Sequence, residues 1–253
     1  MGAFNELGPL RSNAGKGIGL DIYEDTAFIR FDEFVKYYDG DSGEIDVTGE
    51  NPKTGEQYTY SELHDLGSEL LFKRAFKDID THGGIHNVVI DLSNNGGGHI
   101  DVVPWLLAYM TDHPSIAINF KEYDQTVETY YNIDLNQNGV FGDEGDTYKD
   151  TYNFYLLVSN GSFSCGNFLP TVVGTKHLAT LIGEATGGGV CAVGSFASAN
   201  GTIFRNSSNY QLGSYDNGFV AYEDGITPDI PLAREYYYNN LYIYNLIHGI
   251  SNE

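Results

Sequence analysis

Basic residues are scarce in this chain. Thirteen Lys and Arg stand against 35 Asp and Glu, and the formal charge is −22. Polyphosphate is repelled by such a chain, which excludes nucleic acid as a partner, and adsorption to anionic lipid is disfavoured for the same reason. Cysteine is scarce as well. Cys165 and Cys191 are too few for a disulfide framework, and stand either as one bridge or as two buried thiols. No apolar run approaches the roughly 20 residues of a membrane helix, so no membrane insertion is expected. Met1-Gly2-Ala3 begins neither a basic n-region nor a long apolar h-region, so no signal peptide is visible. The expectation is a protein that stays inside, or a chain cut from a longer precursor. No internal repeat or low-complexity linker divides the sequence.

What is present suffices for a core. Hydrophobic residues make up 41% of 253 positions, enough for one large domain or two small ones. Residues 1–17 are rich in Gly and Asn and read as a loose lead-in. Residues 18–253 read as one α/β domain. Gly19 to Tyr23 and Ala27 to Phe31 are two expected strands around a Glu24-Asp25 turn. Asp39 to Glu56 is an acidic, glycine-rich surface loop. From Ser61 a helical spacing places Leu63, Leu66, Leu70, Leu71 and Phe76 on one face. Asn87 to Leu92 is an apolar strand of the kind buried on both sides. It runs into Ser93-Asn94-Asn95-Gly96-Gly97-Gly98, and a helix is expected from Ile100 to Met110.

Three glycines between a strand and a helix allow positive backbone angles and let amides approach a ligand. No Gly-Lys-Ser/Thr follows and no dinucleotide glycine pattern is present, so this is not a nucleotide loop. A second strand-to-helix corner lies at Asn160 to Asn167, between Phe154-Tyr155-Leu156-Leu157-Val158 and the apolar run from Phe168. Such a corner can hold a hydroxyl out at the end of a sheet, facing the amides of a helix start. Ser164 is the candidate nucleophile. An ordinary turn with capping serines uses the same residues.

Residues 116–133 alternate apolar and polar residues and read as a strand pair, and a hairpin and calcium-loop insertion spans about residues 121–152, with Asp134-Leu-Asn136-Gln-Asn138-Gly139-Val140 in it. Oxygen side chains at alternate places before a glycine match the first half of an EF-hand-like calcium loop. Asp134, Asn136, Asn138, Val140 and Asp143 are the candidate ligands of a structural Ca²⁺. The second half departs, because Gly145 occupies the place of the bidentate glutamate.

Four stretches now stand in order: Asp91 to Gly98, Ser162 to Asn167, Gly183 to Gly188, and Gly225 to Ile230. Together they resemble the carboxy-terminal processing peptidases, also called tail-specific proteases, over about residues 18–233. The resemblance implies an α/β fold of the ClpP–crotonase type, a spiral of short sheets covered by helices. It implies a serine endopeptidase with a polypeptide substrate, no cofactor for catalysis, and an extracytoplasmic or secreted setting in a bacterium. By the same resemblance Ser164 is the nucleophile, and the amides of Cys165 and Gly97 form the oxyanion hole.

The departure from the family is equally specific. Its lysine base falls at Gly189, and no lysine follows Lys176. A serine without a base is a poor nucleophile. The chain here is similar to a branch resembling tricorn protease, which also lacks the lysine and uses an upstream histidine and a glutamate. Glu223 stands about where that glutamate belongs, and His99 is a local candidate for the histidine. A second reading of the same fold is therefore a peptide-binding module without turnover. An acyl-CoA enzyme is disfavoured by the charge and by the lack of basic residues around the glycine loop.

Overall fold

Helix α1 (Gly2–Asn13) leads into a tight hairpin of β1 (Gly19–Tyr23) and β2 (Thr26–Arg30). Helices α2 (Tyr60–Leu66) and α3 (Ser68–His82) follow, then β3 (Asn87–Asp91), α4 (Val102–Ala108), β4 (Ser115–Phe120) and β5 (Gln125–Tyr130). The second half holds β6 (Asn153–Val158), α5 (Cys165–Thr175), β7 (Thr180–Gly183), β8 (Cys191–Ala197), β9 (Ile203–Tyr215), β10 (Phe219–Val220), β11 (Ile230–Pro231) and α6 (Asn240–Ile247). This structure, a computed structural model, describes residues 2–38 and 45–251. Residues 39–44, the start of the surface loop expected from Asp39 to Glu56, lie outside the described residues. Within its described part Val47 is buried in the core.

The main sheet has the order β1-β2-β3-β6-β7-β11. β1 is an antiparallel edge, and the other five strands run parallel. A parallel sheet is covered on both faces, which is why its strands are unbroken apolar runs. Successive side chains point to opposite sides. Val88, Ile90, Leu156 and Val158 join the larger core with Phe72 and Phe76 of α3, Leu106 of α4 and Phe168 of α5. Val89 and Leu157 join a smaller core with Leu7 of α1, Tyr237 and Ile243 of α6. A second sheet has the order β10-β9-β4-β5, and β8 pairs with β9.

Two expectations need correction. The lead-in is helical: Leu7 is buried against the sheet, and Arg11 forms an ion pair with Asp32. Pro9 and the weak apolar face of this helix hide it from periodicity. The single helix from Ser61 is two helices, because Gly67 breaks it; a Cβ there would lie 2.5 Å from the Tyr37 Cβ. The strand pair expected within 116–133 is β4 and β5, and β4 also pairs with β9 from Ala117 to Phe120.

Candidate active site

The glycine loop leaves the carboxyl end of β3, the serine corner leaves β6, and Gly183 to Gly189 leaves β7. These are neighbouring parallel strands, and their carboxyl ends are where such sheets bind ligands. The loops are locked together before any side chain faces solvent. Ser162 donates its hydroxyl to Leu92 O at 2.7 Å, and Ser159 donates to Ser93 O at 2.5 Å. Phe163 N–H donates to Asn95 O at 3.1 Å. The corner of β6 is therefore seated on the loop of β3.

Ser164 sits at the cap of α5 with φ 55° and ψ −120°. A non-glycine residue held there is strained, and strain of this kind persists only when the surroundings impose it. Here they do. Ser164 N–H donates to Gly188 O at 3.1 Å, and Ser164 O accepts from Phe168 N–H at 2.7 Å. A sharp strand-to-helix turn of this kind can hold a hydroxyl out at the end of a sheet.

Gly97 has φ 104°, and a Cβ on it would lie 2.6 Å from the Ser164 Cβ and 3.0 Å from Cys165 N. The glycine loop thus abuts the serine, as expected. Gly97 N–H donates to Asn95 Oδ1 at 2.9 Å, so it is already committed. Among the described residues, the N–H groups of Gly98 and Cys165 have no acceptor. Asn95, fully buried, also donates Nδ2 to Phe31 O at 3.2 Å, and fixes which loop amide is free.

The remaining motifs close the ring. Thr186 donates its hydroxyl to Asn167 Oδ1 at 2.6 Å and accepts from Ile226 N–H at 2.7 Å. Asn167 Nδ2 donates to Tyr222 O at 3.0 Å. All four sequence motifs therefore meet around one serine. Asn95, Asn167 and Thr186 are structural members that the sequence reading did not single out.

Glu223 arrives on the same ring, because Gly189 N–H donates to Glu223 O at 3.0 Å. Its carboxylate accepts from the Cys191 thiol at 3.7 Å. His99 faces elsewhere: Nε2 is 3.2 Å from the Tyr38 hydroxyl, and Nδ1 accepts from Asp101 N–H at 3.3 Å. Among the described residues, no carboxylate, imidazole or amine is hydrogen-bonded to the Ser164 hydroxyl. Both cysteines are free thiols. Cys165 is buried and donates to Gly98 O at 3.2 Å, and burial pushes its thiol up to about 12. It is inert as a nucleophile in this state.

The five candidate calcium ligands lie in one loop, with the side-chain oxygens of Asp134, Asn136, Asn138 and Asp143 accepting from N–H groups of that loop. Asp134 accepts from Asn138 N–H at 3.1 Å and Gly139 N–H at 2.8 Å. Asn136 Nδ2 donates to Asp143 at 2.8 Å. The buried Asp146 ties both ends, accepting from Leu135 N–H at 2.8 Å and Gly142 N–H at 2.7 Å. Among the described residues, no group of three or more His, Cys, Asp or Glu is gathered to hold a metal ion.

The sequence model of peptidase family S41 matches residues 26–232. A putative S41 protease from Bacteroides fragilis superposes with a TM-score of 0.60 at 17% identity, over 93% of this chain and 58% of that one. The photosystem II D1 C-terminal processing protease gives 0.53 at 16% identity, over 86% of this chain and 45% of that one. A lipoprotein from Streptococcus agalactiae gives 0.57 at 12% identity, over 95% and 75%. At such identities the likeness is one of fold. The chain spans about half the length of the two proteases, 45% and 58%.

Proposed function

Because the chain belongs to peptidase family S41, we propose that it is a serine endopeptidase acting through Ser164. The Ser164 oxygen attacks a peptide carbonyl and gives its proton to a base. The Cys165 amide and a glycine-loop amide, Gly98 in this arrangement, receive the developing oxyanion. Collapse of the tetrahedral intermediate releases the amine, and water then hydrolyses the acyl-serine. Removing one oxyanion donor in other enzymes costs about 10²–10³ in rate. The observation that carries this reading is the strained φ of Ser164, held by bonds from the loops of the neighbouring strands.

Glu223 is the carboxylate of the ring, and in this reading it orients or serves the base. The polypeptide substrate and an extracytoplasmic, bacterial setting belong to the same proposal, supported by the family and by the bacterial neighbours. Among the described residues, no helix is long and apolar enough to cross a membrane. A structural Ca²⁺ in the loop from Asp134 is a separate proposal, supported by the spacing of its oxygens.

The second reading is a peptide-binding module without turnover. It is favoured by the missing lysine at Gly189 and by the lack of a base on the Ser164 hydroxyl. Intact-mass measurement after a fluorophosphonate probe separates the two. Labelling that disappears in Ser164→Ala means an activated serine. An unlabelled wild-type chain means the binding module.

A further inference from the structure

The proposed chemistry leaves the ribbon of β8 and β9 unused. Gln211 of β9 pairs with Cys191 on one side and with Asn119 of β4 on the other. Towards Ile203, β4 has ended, and β9 keeps β8 as its partner. A two-stranded ribbon is marginal in water by itself. This one is open to solvent, with Val193 63% and Ile203 76% exposed, while Phe196 stacks on Phe204 at 5.9 Å.

Its outer edge is unguarded. Edge strands are ordinarily blunted by lysine, proline or inward charge. β8 reads Cys-Ala-Val-Gly-Ser-Phe-Ala and has none of these. No Asp or Glu stands between Glu184 and Asp216, and Arg205 is the one charge of that interval, in a chain of −22. The free donors can be named. Ser198 N–H donates to Thr202 O at 2.9 Å, and Phe196 lies opposite Phe204 and Gly194 opposite Asn206. Antiparallel alternation then turns the amides of Gly194 and Phe196 inward, and those of Val193, Ser195 and Ala197 outward.

The edge also leads to the nucleophile. Gly188 O holds the Ser164 amide, Gly189 lies against the exposed ring of Phe163, and β8 begins at Cys191. We infer that the outer edge of β8 is the substrate track, on which an extended polypeptide poor in acidic residues adds as a strand and runs to Ser164. Main-chain hydrogen bonds give such a track its affinity. The acidic body repels acidic segments, and the uncharged ribbon with Arg205 accepts neutral or basic ones. The inference rests on the peptidase reading.

The test titrates a dansylated peptide of alternating Val, Thr and Gln into the whole Ser164→Ala chain, read by fluorescence anisotropy. Saturable binding is expected. It weakens about tenfold or more in Ser195→Pro, which removes an outward donor, and in Ser195→Glu, which adds charge. The same peptide with Asp at alternate positions also binds about tenfold more weakly. Circular dichroism shows whether each variant folds; Ser195→Glu keeps every backbone donor and decides the matter if Ser195→Pro does not fold. Unchanged binding in Ser195→Glu overturns the track. So does a sedimentation mass of two chains that Ser195→Glu halves without peptide binding, since the edge then pairs with a second copy. Fluorophosphonate labelling of the wild-type chain is read separately, and its absence overturns the hydrolytic reading while the anisotropy still judges the track.

Discussion

A Cβ on Gly189 would lie 2.5 Å from the ring of Phe163. A side chain at this position is thus opposed by the ring of the residue just before Ser164. Gly189 also has φ 82°, a conformation that side chains resist. Gly189→Lys is therefore expected to lower the melting temperature, with a strain cost of about 1–3 kcal/mol. Adding Phe163→Ala relieves the clash and restores part of the loss. A Gly189→Lys protein melting like wild type would contradict the packing described.

Gly97→Ala tests the loop on the other side of the serine. Its methyl would meet the Ser164 Cβ at 2.6 Å, so the loop or the serine must move. The rate of fluorophosphonate labelling is expected to fall about 10²-fold, the scale of losing an oxyanion donor. Labelling at the wild-type rate would show that the loop plays no part.

Asn167 joins the second motif to the third and to the segment just before Glu223. Asn167→Ala removes the acceptor of the buried Thr186 hydroxyl, while Tyr222 O keeps its bond from Gly225 N–H at 3.2 Å. A buried group so orphaned costs about 1–3 kcal/mol. Urea unfolding is expected to shift to lower midpoint, and labelling of Ser164 to slow with it. An unchanged midpoint would mean that the ring is not held here.

The Cys165 thiol supplies a pH signature. Its folded value, about 12, lies above the ordinary thiol value because the group is buried. The folded chain keeps this proton where the unfolded chain loses it, so stability is full below the ordinary thiol pKa and falls as pH rises towards the folded value. The slope for one such group is about 1.4 kcal/mol per pH unit. Cys165→Ser flattens the alkaline fall. Melting curves across the alkaline range that are parallel for both proteins would refute the assignment.

Removing calcium tests the Asx loop. Chelation is expected to lower the melting temperature, and Asp134→Ala to abolish that response. Metal-free protein that melts unchanged with EDTA or with added calcium would remove the site.

Much of this was legible in the chain. The run Val88-Val89-Ile90 read as a strand covered on both faces, and the small residues from Asn160 read as a strand-to-helix corner. What escaped was decided at long range. Helix α1 carries Pro9 and little periodicity, and it forms because Leu7 finds the underside of the sheet. Which glycine amide stays free is set by the Asn95 side chain, whose direction no local pattern contains. That Gly189 faces the Phe163 ring was not legible either, since it needed the two loops brought together.

The serine corner is assembled from loops that follow three different strands, with the segment around Ile226 closing the ring. Contacts this distant in sequence form late, since chain closure is costly until the sheet exists. The bonds that impose φ 55° on Ser164 exist only where these loops meet. The hydroxyl is therefore placed by the assembled domain and not by its own corner.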